Sequence, residues 1–414
     1  MRTPPQASDP LASRWGVLAG LWMLYASFGF IAASLAPMVA PIEASLGMSH
    51  AAMGSVMGAW QLVYIFSAVP CGMLLDRIGG QRALLIGVLL IAASALGRAL
   101  AVDYWTLLAA VMLFGLGGPI ISSGAPKMVA ELFTGSQRGM AMGIYMTGPA
   151  VGAVVCLGLT NSWLLPLLGN WRSVMLLWAG TALAAGLAWF LMGRRFATSP
   201  AVTPDAQPFA SSIPGAAPTS QVGAMASLVR VPAVRLILAM SVGVFLFNHG
   251  LNGWLVELLR VGGMDPARAG YWATLPTVVG IVGSLLIPRF AIRKRRLYML
   301  MALAAIALAA ALLLRFTDPG LLSLGLILQG IARASLMTLL MLTLVELPEV
   351  GEGRAGVASG RFFSAAEIGG VLGPLGIGIL YDTSGGFDSS LWSLAGVALL
   401  VIAGSLALHR TMRA

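Results

Sequence analysis

The chain has 414 residues, 58% of them hydrophobic and only 10% charged, with a mean hydropathy of +0.89. Soluble domains carry about 25% charged residues, and no soluble core hides this much apolar surface, so a water-soluble fold is excluded. The net charge of +10 does not point to nucleic acid, because the basic residues sit in short loops between apolar runs.

A membrane-spanning helix needs roughly 20 mostly apolar residues. Breaks at proline, glycine and charged clusters predict six such helices over 15–38, 50–75, 83–102, 105–130, 139–160 and 173–193. Six more follow over 232–258, 268–288, 297–315, 320–345, 355–380 and 390–408. The first run is too long for the apolar region of a signal peptide, so it is expected to act as its own insertion signal. The predicted fold class is an all-α membrane protein of twelve transmembrane helices.

Lysine and arginine fall unevenly on the two sides. With both termini inside, seventeen lie in cytoplasmic segments and five (Arg98, Arg172, Arg260, Arg268, Arg315) on the opposite side. That bias predicts a multi-pass protein of the bacterial inner membrane with both termini cytoplasmic.

Residues 197–225 are rich in Pro, Ala and Ser and keep no apolar period, which predicts a flexible cytoplasmic linker. It divides the chain into a six-helix bundle over 1–196 and another over 226–414. The halves repeat. Leu46–Gly54 lines up with Gly262–Gly270 at a shift of 216, and Gly115 and Glu131 with Gly330 and Glu346 at 215. Gly143 and Gly152 match Gly360 and Gly369 at 217. Two pseudo-symmetric bundles around a midplane site are the expected arrangement.

The turn between helices 2 and 3 reads Gly72-Met-Leu-Leu-Asp76-Arg77-Ile-Gly79, followed by Arg82. This segment resembles the loop 2–3 signature of the major facilitator superfamily. With the span count, linker and repeat, the resemblance covers nearly the whole chain. It implies a single-site, alternating-access transporter with helices 1, 4, 7 and 10 lining the cavity. Two features depart from the superfamily's proton-coupled exporters: Val111 stands where they carry a helix 4 arginine, and the helix 5 pattern around Gly148-Pro149 is partial. Trp254-Leu-Val-Glu257 and Glu367 to Pro374 are similar to organic-anion and cyanate-type branches.

Charged residues at mid-membrane cost at least about 2.5–3.5 kcal/mol, so each needs a partner or a water-lined cavity. Arg333 lies near the middle of helix 10, one turn from Gln329. It reads either as an anion anchor, since guanidinium offers a forked donor set, or as a salt-bridge partner of Glu367. Asn248, His249 and Asn252 form a polar stripe beside Gly250 and Gly253 and predict a locally broken helix 7 lining the cavity. Lys127 reads as a snorkelling residue or as a lysine at the cavity floor, and Tyr25 as a mid-depth residue of helix 1. Glu367 either titrates or neutralises an arginine. Arg361 lies about 120° around the same helix and reads as a gate or snorkelling residue.

The Gly72–Arg82 loop is expected to act as a conformational latch. Asp76 would face the positive end of helix 11 near Arg354, and Glu131 would pair with Arg77 or Arg82. No nucleotide-binding loop, metal-ligand cluster or hydrolytic triad is present, so no enzyme, cofactor or metal is expected. The expected partners are a small-molecule substrate and the lipid bilayer, with protons as the candidate coupling ion, no nucleic acid, and a monomeric state. The leading functional expectation is secondary transport of a small organic anion. A drug or metabolite exporter and a transporter-like sensor are the alternatives.

Overall fold

The computed structural model describes residues 10–196, 230–290 and 295–412, which form long helices and no strand. The linker over 197–225 and the basic residues Arg293 and Lys294 lie outside them. Helix α1 begins as Pro10–Ala33, passes through a tight turn at Ala36–Met38 and ends as Val39–Leu46. Helices α2, α3 and α4 are His50–Ile78, Gly80–Ala99 and Tyr104–Leu132. Helix α5 runs as Gly135–Leu159, a wide turn at Thr160–Leu164 and a last turn Leu165–Leu168, and α6 is Trp171–Phe196. In the second half, α7, α8 and α9 are Pro232–Val261, Pro266–Phe290 and Arg296–Leu313. Helices α10, α11 and α12 are Pro319–Val345, Gly351–Ser384 and Asp388–Thr411.

Eleven of these are long and apolar enough to cross a membrane by length and composition. The twelfth, α8, has 25 residues and the same place in its half as α2 in the first. The fold is therefore the twelve-helix, two-bundle architecture expected from the sequence. It has a terminal end, where Pro10 and Thr411 lie, and a far end, where α1 gives way to α2.

Helices α1 and α5 run further than predicted. Pro37 has no N–H to give the Ala33 carbonyl, and next to this break the Ile31 carbonyl accepts from the Ser34 hydroxyl at 2.9 Å and the Arg98 guanidinium at 2.7 Å. In α5, Pro166 forces a similar detour, and a wide turn absorbs it. The chain then continues helical beyond both breaks.

The repeat has a physical basis. Asp103 caps α4 by accepting from the Thr106 amide, and Asp318 caps α10 by accepting from the Gly320 and Leu321 amides, 215 residues later. These amide and hydroxyl donors hold the Asp103 carboxyl below the ordinary aspartate range. Gly115 of α4 brings its backbone against Trp60 of α2, and Gly330 of α10 does the same against Pro276 of α8. A side chain at either position would collide with the facing carbonyl.

Within the first half, α1 packs on α5 and α6, α3 on α4 and α6, and α2 on α4. The second half repeats this, with α7 on α11 and α12, α9 on α10 and α12, and α8 on α10. Between halves, α2 packs on α11 and α5 on α8. The close approaches across this boundary lie toward the far end: Gly54 against Pro374, Gly378 against His50, and Gly270 against Leu157.

Candidate functional site: a cationic cavity between the halves

A cavity of about 390 Å³ lies where the two halves meet. Much of its wall is apolar or aromatic, including Phe28, Met57, Trp60, Met146 and Leu157. Its polar side chains are Gln61, Arg98, His249, Asn252, Thr277 and Arg333, and among the described residues no aspartate or glutamate lines it. Helices α1, α7 and α10 contribute as the resemblance implied, but α4 supplies no lining residue; α2, α3, α5, α8 and α11 also contribute.

Arg333 projects from α10 and donates through Nη1 to the Thr277 hydroxyl of α8 at 3.0 Å. Its carbonyl oxygen accepts a long bond from Asn248 Nδ2 at 3.5 Å. Among the described residues no carboxylate lies within ion-pair distance of it. The salt bridge to Glu367 that the sequence allowed is therefore absent. A guanidinium in a low-dielectric site with one neutral partner has donors to spare, and the cavity is where they are available.

His249 stands beside it. Its Nδ1 lies 3.0 Å from Gln61 Nε2, so a bond crosses from α7 to α2, and its ring packs on Phe245 and Trp60 at 5.3 and 6.0 Å. Asn252 lines the cavity one turn nearer the far end, whereas Asn248 is buried against α10. Helix α7 is not broken here, contrary to the sequence expectation. Gly250 and Gly253 instead admit Gly373 of α11 and Met57 of α2 at close range.

Arg98 is the main residue that sequence reasoning missed. Counted only as a charge of the opposite side, it is 1% exposed in the last turn of α3 and lines the cavity. Its Nη1 donates to the Ile31 carbonyl and to the Ser34 hydroxyl at 3.1 Å, and its guanidinium lies 5.4 Å from the Phe114 ring centre. It braces the break in α1 and adds a second positive charge to the wall. Its position inside the predicted span 83–102 was the available signal.

Other expected residues fall elsewhere. Gln329 is fully buried, its amide atoms have no partner, and it does not line the cavity. Tyr25 stacks on Tyr145 at 5.6 Å, also away from the lining. Lys127 is not at the cavity floor: its Nζ is 2.6 Å from Asp76 Oδ1. Arg361 is half-buried, its Nε without a partner. Glu367 is 7% exposed and forms no ion pair among the described residues, which corrects its expected role as a neutralising partner.

The loop 2–3 segment also differs from expectation. Asp76 pairs with Lys127 inside its own half rather than facing α11, and the Arg354 side chain lies outside the described residues. Glu131 is exposed and pairs with neither Arg77 nor Arg82. Among the described residues neither Arg77 nor Arg82 forms an ion pair, and Gly72 has open space beside it. Gly79 has the clearest local role, at φ +82 between the end of α2 and the start of α3. That conformation suits glycine and lets one residue turn the chain.

Further contacts that join the halves lie at the far end. The His50 ring is sandwiched between Tyr381 and Trp254, with centroids 3.7 and 5.1 Å away. Its Nδ1 lies 3.2 Å from Glu43 Oε2, and its Nε2 lies 3.9 Å from Glu257 Oε1. Asp382 of α11 accepts from the His50 and Ala51 amides at 3.1 and 2.8 Å, capping α2 across the boundary. Trp254 Nε1 donates to the Pro374 carbonyl at 2.8 Å. Sequence reading used His50 only as part of the repeat, since a clamp assembled from α2, α7 and α11 leaves no local pattern.

Residues 21–365 and 263–413 match the Major Facilitator Superfamily, and the chain belongs to it. It is therefore a membrane transporter and not an enzyme. The uncharacterized transporter YycB of Bacillus subtilis (strain 168) is 25% identical over 374 residues, covering 90% of this chain and 87% of that one. The gallate transporter of Pseudomonas putida is 26% identical over 300 residues, 67% of this chain and 66% of that one. A solved bacterial homologue of the human lysosomal transporter Spinster shares the fold at TM-score 0.74 and 18% identity, with 98% of each chain covered.

Proposed function

We propose that this transporter carries a small organic anion, a carboxylate, by alternating access, with Arg333 as the anchor. The observation that carries the reading is the Arg333 guanidinium: it lines the cavity, bonds the neutral Thr277 hydroxyl, and faces a wall with no carboxylate among the described residues. An arriving carboxylate supplies the missing acceptors in bidentate geometry. His249 and Asn252 orient the anion, and Phe28 and Trp60 cover its apolar part. The gallate carried by one relative is an anion of this kind. We place the protein in the bacterial inner membrane with both termini cytoplasmic, its bundles at 1–196 and 226–414 joined by a linker over 197–225. An exporter of neutral or cationic drugs gains nothing from an unpaired guanidinium at its binding site.

The test is a melting measurement on the purified protein with benzoate and with benzamide, its uncharged counterpart. At 100 times its dissociation constant a ligand stabilises the folded state by about 2.7 kcal/mol. Benzoate should raise the melting temperature and benzamide should not; equal effects would refute the charge-based reading.

A further inference from the structure

We propose that Glu367 is the proton-binding group of this transporter: it carries a proton while the halves are packed at the far end and gives it up as they part. The proposal rests on the chain being a transporter and not on which anion it carries.

Two carboxylates are buried among the described residues, Glu257 at 3% and Glu367 at 7% exposure. Glu257 has Arg260 as a partner, whereas Glu367 has no cation, and its Oε2 is buried without a hydrogen bond. The carboxyl lies in the seam between halves. A Cβ placed on Gly370, one turn along α11, would fall 2.7 Å from Glu367 Oε2 and 3.1 Å from Gln61 Cγ of α2.

The surrounding groups offer an anion nothing. From the helices packed on α11, the titratable and charged groups around this seam are Tyr64 on α2, His249 on α7 and Arg333 on α10. Tyr64 is engaged with the Ser122 hydroxyl at 2.9 Å, His249 with Gln61, and Arg333 with Thr277. An ionised carboxylate left there without a cation costs several kcal/mol, and loss of the charge removes most of that cost. Gln61 Oε1 is likewise buried without a donor. A carboxylic acid brings the one O–H that this seam lacks; a carboxylate brings only another acceptor.

This makes far-end closure conditional on proton uptake. An ionised Glu367 opposes the packing of α2 on α11, and a protonated one permits it. Release is toward the cavity, because Gln61 and His249, which separate Glu367 from Arg333, both line it. Glu367 takes no part in lining the cavity and so couples without binding the substrate.

Infrared spectra of the purified full-length protein in liposomes test the proton directly. At pH 7 the wild type should show a protonated-carboxyl absorption that Glu367→Gln removes and Glu257→Gln leaves in place. Glu367→Gln should melt at or above the wild-type temperature, since it mimics the neutral form. In transport, Glu367→Gln should keep benzoate counterflow and lose accumulation driven by a pH gradient. An unchanged infrared difference, a strongly lowered melting temperature, or accumulation equal to wild type each overturns the proposal. A wild type that moves no benzoate would count against the carboxylate reading alone, and the infrared and melting results would still decide the role of Glu367.

Discussion

Arg333 reaches one neutral hydroxyl, Thr277 Oγ1 at 3.0 Å. Under the anion-anchor proposal, the remaining guanidinium donors receive the substrate's carboxylate. Hydrogen bonds to charged groups contribute about 1.5–3 kcal/mol each, so Arg333→Ala should weaken anion binding by roughly ten- to a hundredfold. Lysine keeps the charge but loses the fork, and Arg333→Lys should fall between wild type and alanine in an equilibrium titration. Gly79 tests a different property. Its φ of +82 is strained for any residue with a Cβ, so Gly79→Ala should lower stability by about 1–2 kcal/mol without touching anion affinity, as measured by urea titration in detergent. Arg333 stood out in the sequence because a mid-span charge is expensive. Its partner was not, because Thr277 meets it through the packing of α8 on α10 and no local spacing encodes that.

At the scale of elements, the seam between α2 and α11 is tightly packed toward the far end. Gly54 packs on the Pro374 carbonyl and Gly378 on the His50 carbonyl, so α2 and α11 close together only where side chains are missing. Leucine at either glycine should hold the far end open, and spin labels placed across it should report longer distances than in wild type; unchanged distances would contradict this. The loop 2–3 hairpin acts at the other end. The Lys127–Asp76 pair is 33% and 70% exposed, and exposed pairs contribute about 0–1 kcal/mol. Asp76→Asn should therefore leave stability and anion affinity nearly unchanged. If the hairpin latches the terminal end when that end closes, the same variant slows turnover, and a large affinity loss at normal turnover would exclude such a role. Sequence reading found this hairpin and its turn glycine. It assigned Asp76 the wrong neighbour, because Asp76 and Lys127 lie 51 residues apart in sequence and meet only through the α2–α4 contact.

At the scale of the whole molecule, two repeats place matching caps and glycines 215 residues apart, as with Asp103 and Asp318. The helix count, the repeat and the superfamily were readable because membrane insertion imposes long apolar spans and the duplication left its glycines in register. The cavity was only half readable. Arg333, His249 and Asn252, picked out in the sequence, line the cavity, whereas Lys127 and Gln329 do not, and Arg98 was counted only as a charge of the opposite side. The cationic wall emerges only when α3 of one half and α10 of the other are brought to the same space. The most direct test is uptake of labelled benzoate by the purified protein in liposomes, wild type beside Arg333→Ala, with folding of both confirmed by melting. Saturable uptake by wild type, and uptake by the variant that needs roughly ten- to a hundredfold more benzoate to reach the same rate, is the predicted result; equal uptake by both would contradict the assignment of Arg333 as the anion anchor.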